Sequence, residues 1–243
     1  MKKRLLITFL ELIKINETSG QEKEIITYVK NYLLKLGITT KSDKYGNIIA
    51  YYPGVGKPLL LNTHLDIPEP MKNFDYKITG DIIRANGESI LGADAKSGLA
   101  VLLEFVKILK EKKIQTRPIE LVFTKSEEKG LVGAKNLDFS LLSATEGLVL
   151  DENGPCTQVV VSAPTFCKLF ITIIGNPVHV SEPKNGINAL EIACRAINEL
   201  RLGFIKKGVT FNIGMFTAGT AANTVPGRAT MECDLRSFDN EKL

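Results

Sequence analysis

His64 and Asp66 close the apolar run Leu59-Leu60-Leu61. Asp94 sits in Gly92-Ala93-Asp94-Ala95-Lys96-Ser97-Gly98, where a polar loop runs into the helical pattern Leu99, Leu102, Leu103, Val106. Glu127 and Glu128 follow the strand-like Ile119-Glu120-Leu121-Val122-Phe123, and Asp151 follows Leu148-Val149-Leu150. Four separate segments thus deliver an imidazole or a carboxylate at a strand end or just past one. In open α/β sheets, sites are built at that edge. A dinuclear hydrolytic centre needs such groups. One carboxylate bridges both ions, imidazole or carboxylate ligands sit at the ends, and a free carboxylate takes a proton from the activated water. His64 suits zinc, and Asp66 is placed to hold its other ring nitrogen and fix the tautomer. Asp94 offers two oxygens from a Gly-flanked loop and can bridge. Adjacent Glu127 and Glu128 point different ways from a loop, so that one can bind metal while the other is the general base.

Each residue alone has an ordinary reading. Asp94 caps a helix, paired Glu before a helix complements its dipole, and Asp151 caps a turn. The joint pattern, in this order and at successive strand ends, favours the metal reading. The Lys96-Ser97 pair does not make a phosphate-binding loop, because the glycine required before the lysine is Ala95.

The elements that must position these residues follow from periodicity. Leu5 to Ile15 reads as a short helix, and Gln21 to Leu36 as an amphipathic one with Gly37 at its C′ position. Short strands run from Ile38 to Leu61, and Tyr76 to Ala85 reads as a hairpin around Gly80-Asp81. Helix Lys96 to Lys112, strand Pro118 to Thr124, a short helix near Leu131 to Leu137 and strand Gly147 to Leu150 complete an α/β pattern. Past Ala163-Pro164 the pattern changes to strand Phe166 to Ile174, helix Asn188 to Leu200, strands Val209 to Phe216 and Thr224 to Arg236, and a helix start at Asp239-Asn240-Glu241. That is most of a ferredoxin-like unit. The expected domains are 1–163 and 164–243.

The 243 residues suffice for one large core or two smaller ones. A net charge of +4, dispersed along the chain, argues against nucleic acid as a partner. No stretch is long enough to span a membrane. Four cysteines without CxxC spacing fit free thiols in a reducing cytoplasm.

The segments NTHLDIP, LGADAKSGLA, FTKSEEKGLVGAKNLD, LVLDENGP, GNPVHVSEPKNGINAL and NTVPGRATMECDLRS resemble the co-catalytic zinc exopeptidases and amidohydrolases. That family includes peptidase T, aminoacylase and succinyl-diaminopimelate desuccinylase, and the likeness is greatest to peptidase T. The resemblance implies a zinc-exopeptidase-type α/β domain, with helices on both faces of a mixed sheet, and an inserted ferredoxin-like dimerisation lid. It implies His64 and Asp151 as terminal ligands of one zinc, Asp94 as bridge, Glu128 on the second zinc, Glu127 as base, and Asp66 orienting His64. Asp at 151 is similar to the peptide-cleaving branches. Ala95 stands where peptidase T has a second Asp. In the lid, His179 matches a histidine given to the partner subunit's site in a homodimer. Asn223 resembles an oxyanion-assisting Asn, and Arg236 an Arg that binds a substrate carboxylate.

The expected function is a zinc-dependent aminopeptidase on short peptides. A related deacylase or carboxypeptidase, or an inactive homologue serving as a binding or dimerisation module, is the alternative. The family's second zinc also takes a histidine from a C-terminal return segment. Here only His64 and His179 exist, so the expectation is an incomplete second zinc site, a partial lid and a C-terminally truncated catalytic domain.

Overall fold

The computed structural model describes residues 2–242. They form two compact units that divide between Gly154 and Pro155.

The first unit opens with α1 (Lys2–Leu12) and α2 (Lys23–Lys35). In α2, Ile25, Val29 and Leu33 recur every four residues and are fully buried, the period of one helix face. Gly37 follows with φ 69°, the left-handed C′ conformation that glycine adopts at no steric cost. Strands β1 (Thr40–Ser42), β2 (Ile48–Tyr52) and β3 (Leu59–His64) come next. A hairpin of β4 (Tyr76–Thr79) and β5 (Ile82–Ala85), helix α3 (Ala93–Glu111), β6 (Ile119–Thr124), the short α4 (Val132–Lys135) and β7 (Gly147–Val149) complete the unit.

The five-stranded sheet has the order β1-β2-β6-β3-β7. Strands β3, β6 and β7 are mutually parallel neighbours, and β1 and β2 are antiparallel additions. The C-terminal ends of three neighbouring strands therefore share one edge. His64 pairs with Thr124 and Asn62 with Val149, so the residues just past each strand end emerge side by side.

Helices α1, α2 and α3 share one core with one face of this sheet. Leu99, Leu102, Leu103 and Val106 of α3 pack with Ile25, Val29 and Leu33 of α2 and with Leu121 and Phe123 of β6. Each such side chain contributes about 1.5–3 kcal/mol of burial. Glu104 of α3 ties the helices together, accepting from Thr8 Oγ1 of α1 at 3.0 Å and Tyr32 Oη of α2 at 2.7 Å. Arg4 Nε donates to it at 2.9 Å. The expected helices on both faces come out unequally. The opposite face, which carries Glu120, is met by the segment around the 3₁₀ turn Phe139–Leu141, where Glu120 accepts from Ser143 N, Ser143 Oγ and Ala144 N.

The second unit contains β8 (Thr165–Ile174), α5 (Ala189–Glu199), β9 (Gly203–Lys206), β10 (Val209–Ala218) and β11 (Arg228–Ser237). Its antiparallel sheet has the order β8-β11-β10-β9. Ile197 of α5 packs with Leu169 and Ile171 of β8 and with Met231 and Cys233 of β11. Periodicity missed β9. Four residues carry too little alternation to register, and the strand is fixed by its pairing with β10 across the turn at Lys207-Gly208, where Gly208 has φ 76°. The expected first helix is shifted, ending at Leu12 rather than Ile15. The last strand starts at Arg228, because Thr224 to Gly227 is spent on an isolated bridge to His179 and a proline turn. The helix start at Asp239 is a 3₁₀ turn over Asn240–Lys242.

Among the described residues no helix is long and apolar enough to cross a membrane. The four cysteines are unpaired.

A candidate metal centre at the sheet edge

His64 ends β3 and its side chain is 2% exposed. Its Nε2 lies 2.9 Å from Asp94 Oδ1, 3.3 Å from Asp151 Oδ1 and 4.0 Å from Glu127 Oε2. Two sets of side chains each bring their ligand atoms within 4.8 Å of one another, His64–Asp94–Asp151 and His64–Glu127–Glu128. All five residues belong to the first unit. The first set holds the terminal and bridging residues expected for one ion. The second brings Glu128 together with Glu127 and His64, and the charge of Asp94 also reaches Glu128.

Local structure explains the convergence. The Asp94 side chain makes no capping hydrogen bond to α3 and meets His64 instead. Gly92 precedes α3, and Asp94 has φ −83° and ψ 117°, outside helical values, before the regular helix starts. Its side chain is thereby turned aside to the sheet edge. Gly98, one turn into α3, explains how the helix comes so near. A Cβ there would lie 2.3 Å from Leu150 O and 3.0 Å from Thr63 Oγ1. Only glycine lets α3 approach β3 and the end of β7, which carry His64 and Asp151.

Asp66 is fully buried and organises more than a histidine. It accepts from Ser19 Oγ at 2.6 Å, Glu127 N at 3.0 Å and Glu128 N at 3.2 Å. Its Oδ1 lies 3.4 Å from His64 Nδ1, too long for a good hydrogen bond, and this buried nitrogen makes no other bond among the described residues. Asp66, expected to orient His64, touches it only through a loose charge contact. Its stronger bonds hold the Glu127-Glu128 backbone. Spacing could not reveal this, because the partners lie 61 and 62 residues away.

The electrostatics are those of crowded carboxylates. Burial raises the pKa of Asp94, and the charge of Asp151 adds to it against the opposing pull of His64. Burial and the neighbouring carboxylates likewise raise Glu127 and Glu128. Burial would pull His64 down, but the close carboxylates of Asp151 and Asp66 hold it up at about 11. Burial would raise Asp66, yet His64, Ser19 and the two amides keep it at about 2. Among the described residues, Asp94, Glu127 and Asp151 have His64 as their ion-pair partner, and neither they nor Glu128 meet a Lys or Arg within 4.0 Å. Four acidic groups around one imidazole, all oxygen and nitrogen donors, fit a divalent cation of the zinc class.

The remaining expected residues lie in the second unit. His179 forms a bridge with Thr224, and Val180 N donates to Asn223 O, so His179 and Asn223 are neighbours. Ser181 N donates to His179 Nδ1 at 3.2 Å, which assigns the proton of the neutral ring to Nε2. Arg236 donates from Nε and Nη2 to the Asp234 carboxylate, at 2.7 and 3.1 Å.

Comparison with known proteins follows the same division. The pattern of the peptidase dimerisation domain of the M20 family matches residues 164–243, and that of peptidase family M28 matches residues 47–143. The Bacillus subtilis protein YqjE is 36% identical, over 100% of this chain and 68% of its own. The chain belongs to the peptidase T-like M20 metallopeptidases. Among solved structures, this M20 chain is similar to a tripeptidase from Staphylococcus aureus, with 36% identity and a TM-score of 0.94. It is also similar to the aminopeptidase PepT from Bacillus cereus, with 34% identity and a TM-score of 0.90. It covers 68% of each of those chains, while all of this chain is matched.

The close approach at Gly98 yields a test. Gly98→Ala should lower the stability of the first unit by about 1–3 kcal/mol and weaken divalent-cation binding by about tenfold or more, as the α3 start is pushed from the strand ends. Thermal unfolding and calorimetric titration check both. Wild-type values would mean that the contact does not set the site.

Proposed function

We propose that this M20 chain is a zinc-dependent exopeptidase, an aminopeptidase acting on short peptides such as tripeptides. The observation that carries this reading is the gathering of His64, Asp94, Asp151, Glu127 and Glu128 at one sheet edge, in a chain whose whole length is similar to a tripeptidase. His64, Asp94 and Asp151 would hold one zinc, and Asp94 and Glu128 the second. When bound, the ions activate a water and polarise the scissile carbonyl.

The chain's own groups supply the proton transfers and the positioning. Glu127 accepts the proton of the attacking water on a carboxylate oxygen and returns it to the nitrogen of the leaving amine. Its carboxylate stands 4.0 Å from His64 Nε2, beside the groups that would hold the metal. Asp66 fixes the backbone of Glu127 and Glu128. His179, with Nε2–H free to donate, and the Asn223 amide are suited to stabilising a developing oxyanion. We assign them to the partner subunit's site in a homodimer built by the second unit. Arg236 takes a substrate carboxylate by a bidentate pair, exchanging Asp234 for it.

The related deacylase or carboxypeptidase reading uses the same metal ligands, and substrates separate the two. A tripeptide with a free α-amino group should be cleaved, and an N-acyl amino acid should not. Glu127→Ala should lower kcat by about 10²–10⁴-fold with zinc content unchanged, whereas Asp94→Ala should lose zinc as well. Full zinc occupancy in Asp94→Ala, measured by elemental analysis, would remove it from the ligand set.

The trans role predicts complementation. Randomly mixed His179→Ala and Glu127→Ala protomers place one intact site in each mixed dimer, so about a quarter of wild-type activity should return. No recovery after demonstrated subunit exchange would place the action of His179 within its own subunit.

A further inference from the structure

Glu22 is a buried carboxylate, 1% exposed, that the proposed chemistry does not use. It lies immediately before α2, yet its side chain makes no cap bond to that helix. The amides of Glu24 and Ile25 are satisfied by Glu17 instead. Glu22 Oε1 accepts from Gly20 N, Ser126 N and Ser126 Oγ, each at 2.9 Å. Its Oε2 is buried without a hydrogen bond, and Lys125 Nζ stands 3.6 Å away.

Ser126 is an unusual residue to hold. Its φ is 51°, in the left-handed region that costs a side-chain-bearing residue about 1 kcal/mol or more. It immediately precedes Glu127. The turn from β6 therefore reaches Glu127 and Glu128 through one unfavourable residue, and Glu22 is the group that accepts from both its N–H and its hydroxyl.

Glu22 in turn sits on a well-fixed segment. Asn16 exchanges two hydrogen bonds with the Met71 backbone, Thr18 bridges to Ile67, and buried Lys96 donates to Ile15 O. The same segment carries Ser19, the donor to Asp66. Residues 15–22 thus reach the base-bearing turn twice, through Ser19 and Asp66 at the Glu127 and Glu128 amides, and through Glu22 at Ser126.

We propose that Glu22 is a positioning residue for catalysis, holding Ser126 in its left-handed conformation so that the Glu127 and Glu128 carboxylates stay beside His64. Supports of this kind hold a site within a fraction of an ångström. A misplacement of about 1 Å at a reacting group costs on the order of 10²-fold in rate. The activity consequence rests on the peptidase reading, and the conformational consequence does not.

The test combines kinetics with amide hydrogen exchange. Glu22→Ala should lower kcat for a tripeptide about tenfold to a hundredfold with KM within about twofold, well below the melting temperature. Glu22→Gln, whose amide oxygen still accepts from Ser126, should stay within about threefold of wild type. Glu104→Ala, which removes a buried carboxylate distant from the sheet edge, should lower the melting temperature without changing kcat. Exchange at the Ser126, Glu127 and Glu128 amides should quicken by about tenfold or more in Glu22→Ala, with β6 amides unchanged. Glu22→Asp shortens the reach with less damage to packing and carries the same expectation if Glu22→Ala fails to fold. A wild-type kcat in Glu22→Ala, an equal loss in Glu104→Ala, or a Gln variant as poor as Ala would overturn the proposal. If the wild-type chain cleaves no peptide, the peptidase reading fails and the exchange data alone decide. Unchanged exchange at the three amides overturns the positioning role.

Discussion

The repulsion among Asp94, Asp151, Glu127 and Glu128 is the constraint on which the rest of the first unit depends. Two carboxylates about 4 Å apart repel by about 4 kcal/mol at an effective dielectric of 20. One imidazole cannot offset four such charges. The raised pKa values of Asp94, Glu127 and Glu128 express that cost, with burial as their first cause. A fold that nevertheless gathers these groups must hold each one through the backbone, because the side chains left alone would separate. A divalent cation bound there would supply the missing positive charge.

The backbone devices are specific. Parallel pairing of β3 with β6 and β7 aligns three strand ends, so that His64, Glu127 and Asp151 leave the sheet together. Gly98 lets α3 press against the same edge and bring Asp94. Asp66 then collects the amides of Glu127 and Glu128. This acid is the opposite of Asp94, Glu127 and Glu128. Its pKa is held at about 2, because hydrogen-bond donors outweigh its burial, so it stays an acceptor; Asp151 is also held below the usual carboxylate range, the contact with His64 outweighing its burial, while Asp94, Glu127 and Glu128 are pushed up.

What was legible in the sequence follows from this physics. The metal-ligating types at strand ends were visible because a strand's apolar run and the polar residue that closes it are adjacent in the chain. Helix α2 was visible through the four-residue spacing of Ile25, Val29 and Leu33, and the β4–β5 hairpin through Gly80-Asp81. Strand β9 was not, since its identity comes from pairing with β10 rather than from its own four residues. Ser19, Glu22 and the tie from Asp66 to the Glu127 amide were equally hidden. Each acts across 47, 104 or 61 residues of sequence, and Ser and Glu before a helix suggest only capping. The role of Gly98 was hidden for a similar reason, because a glycine within a helical pattern does not say what approaches it. The engagement of Arg236 by Asp234 had a signal, two residues apart on one strand face, that the reading of Arg236 as a substrate ligand passed over.

We propose that the acidic cluster at the sheet edge binds metal. Crystals grown with zinc and measured at the zinc absorption edge test it most directly. The account predicts an anomalous peak about 2.0–2.2 Å from His64 Nε2 and from carboxylate oxygens of Asp94 and Asp151. Saturating zinc with no peak at that position, or with His64 Nε2 still paired to Asp94 and no ion between them, would contradict it.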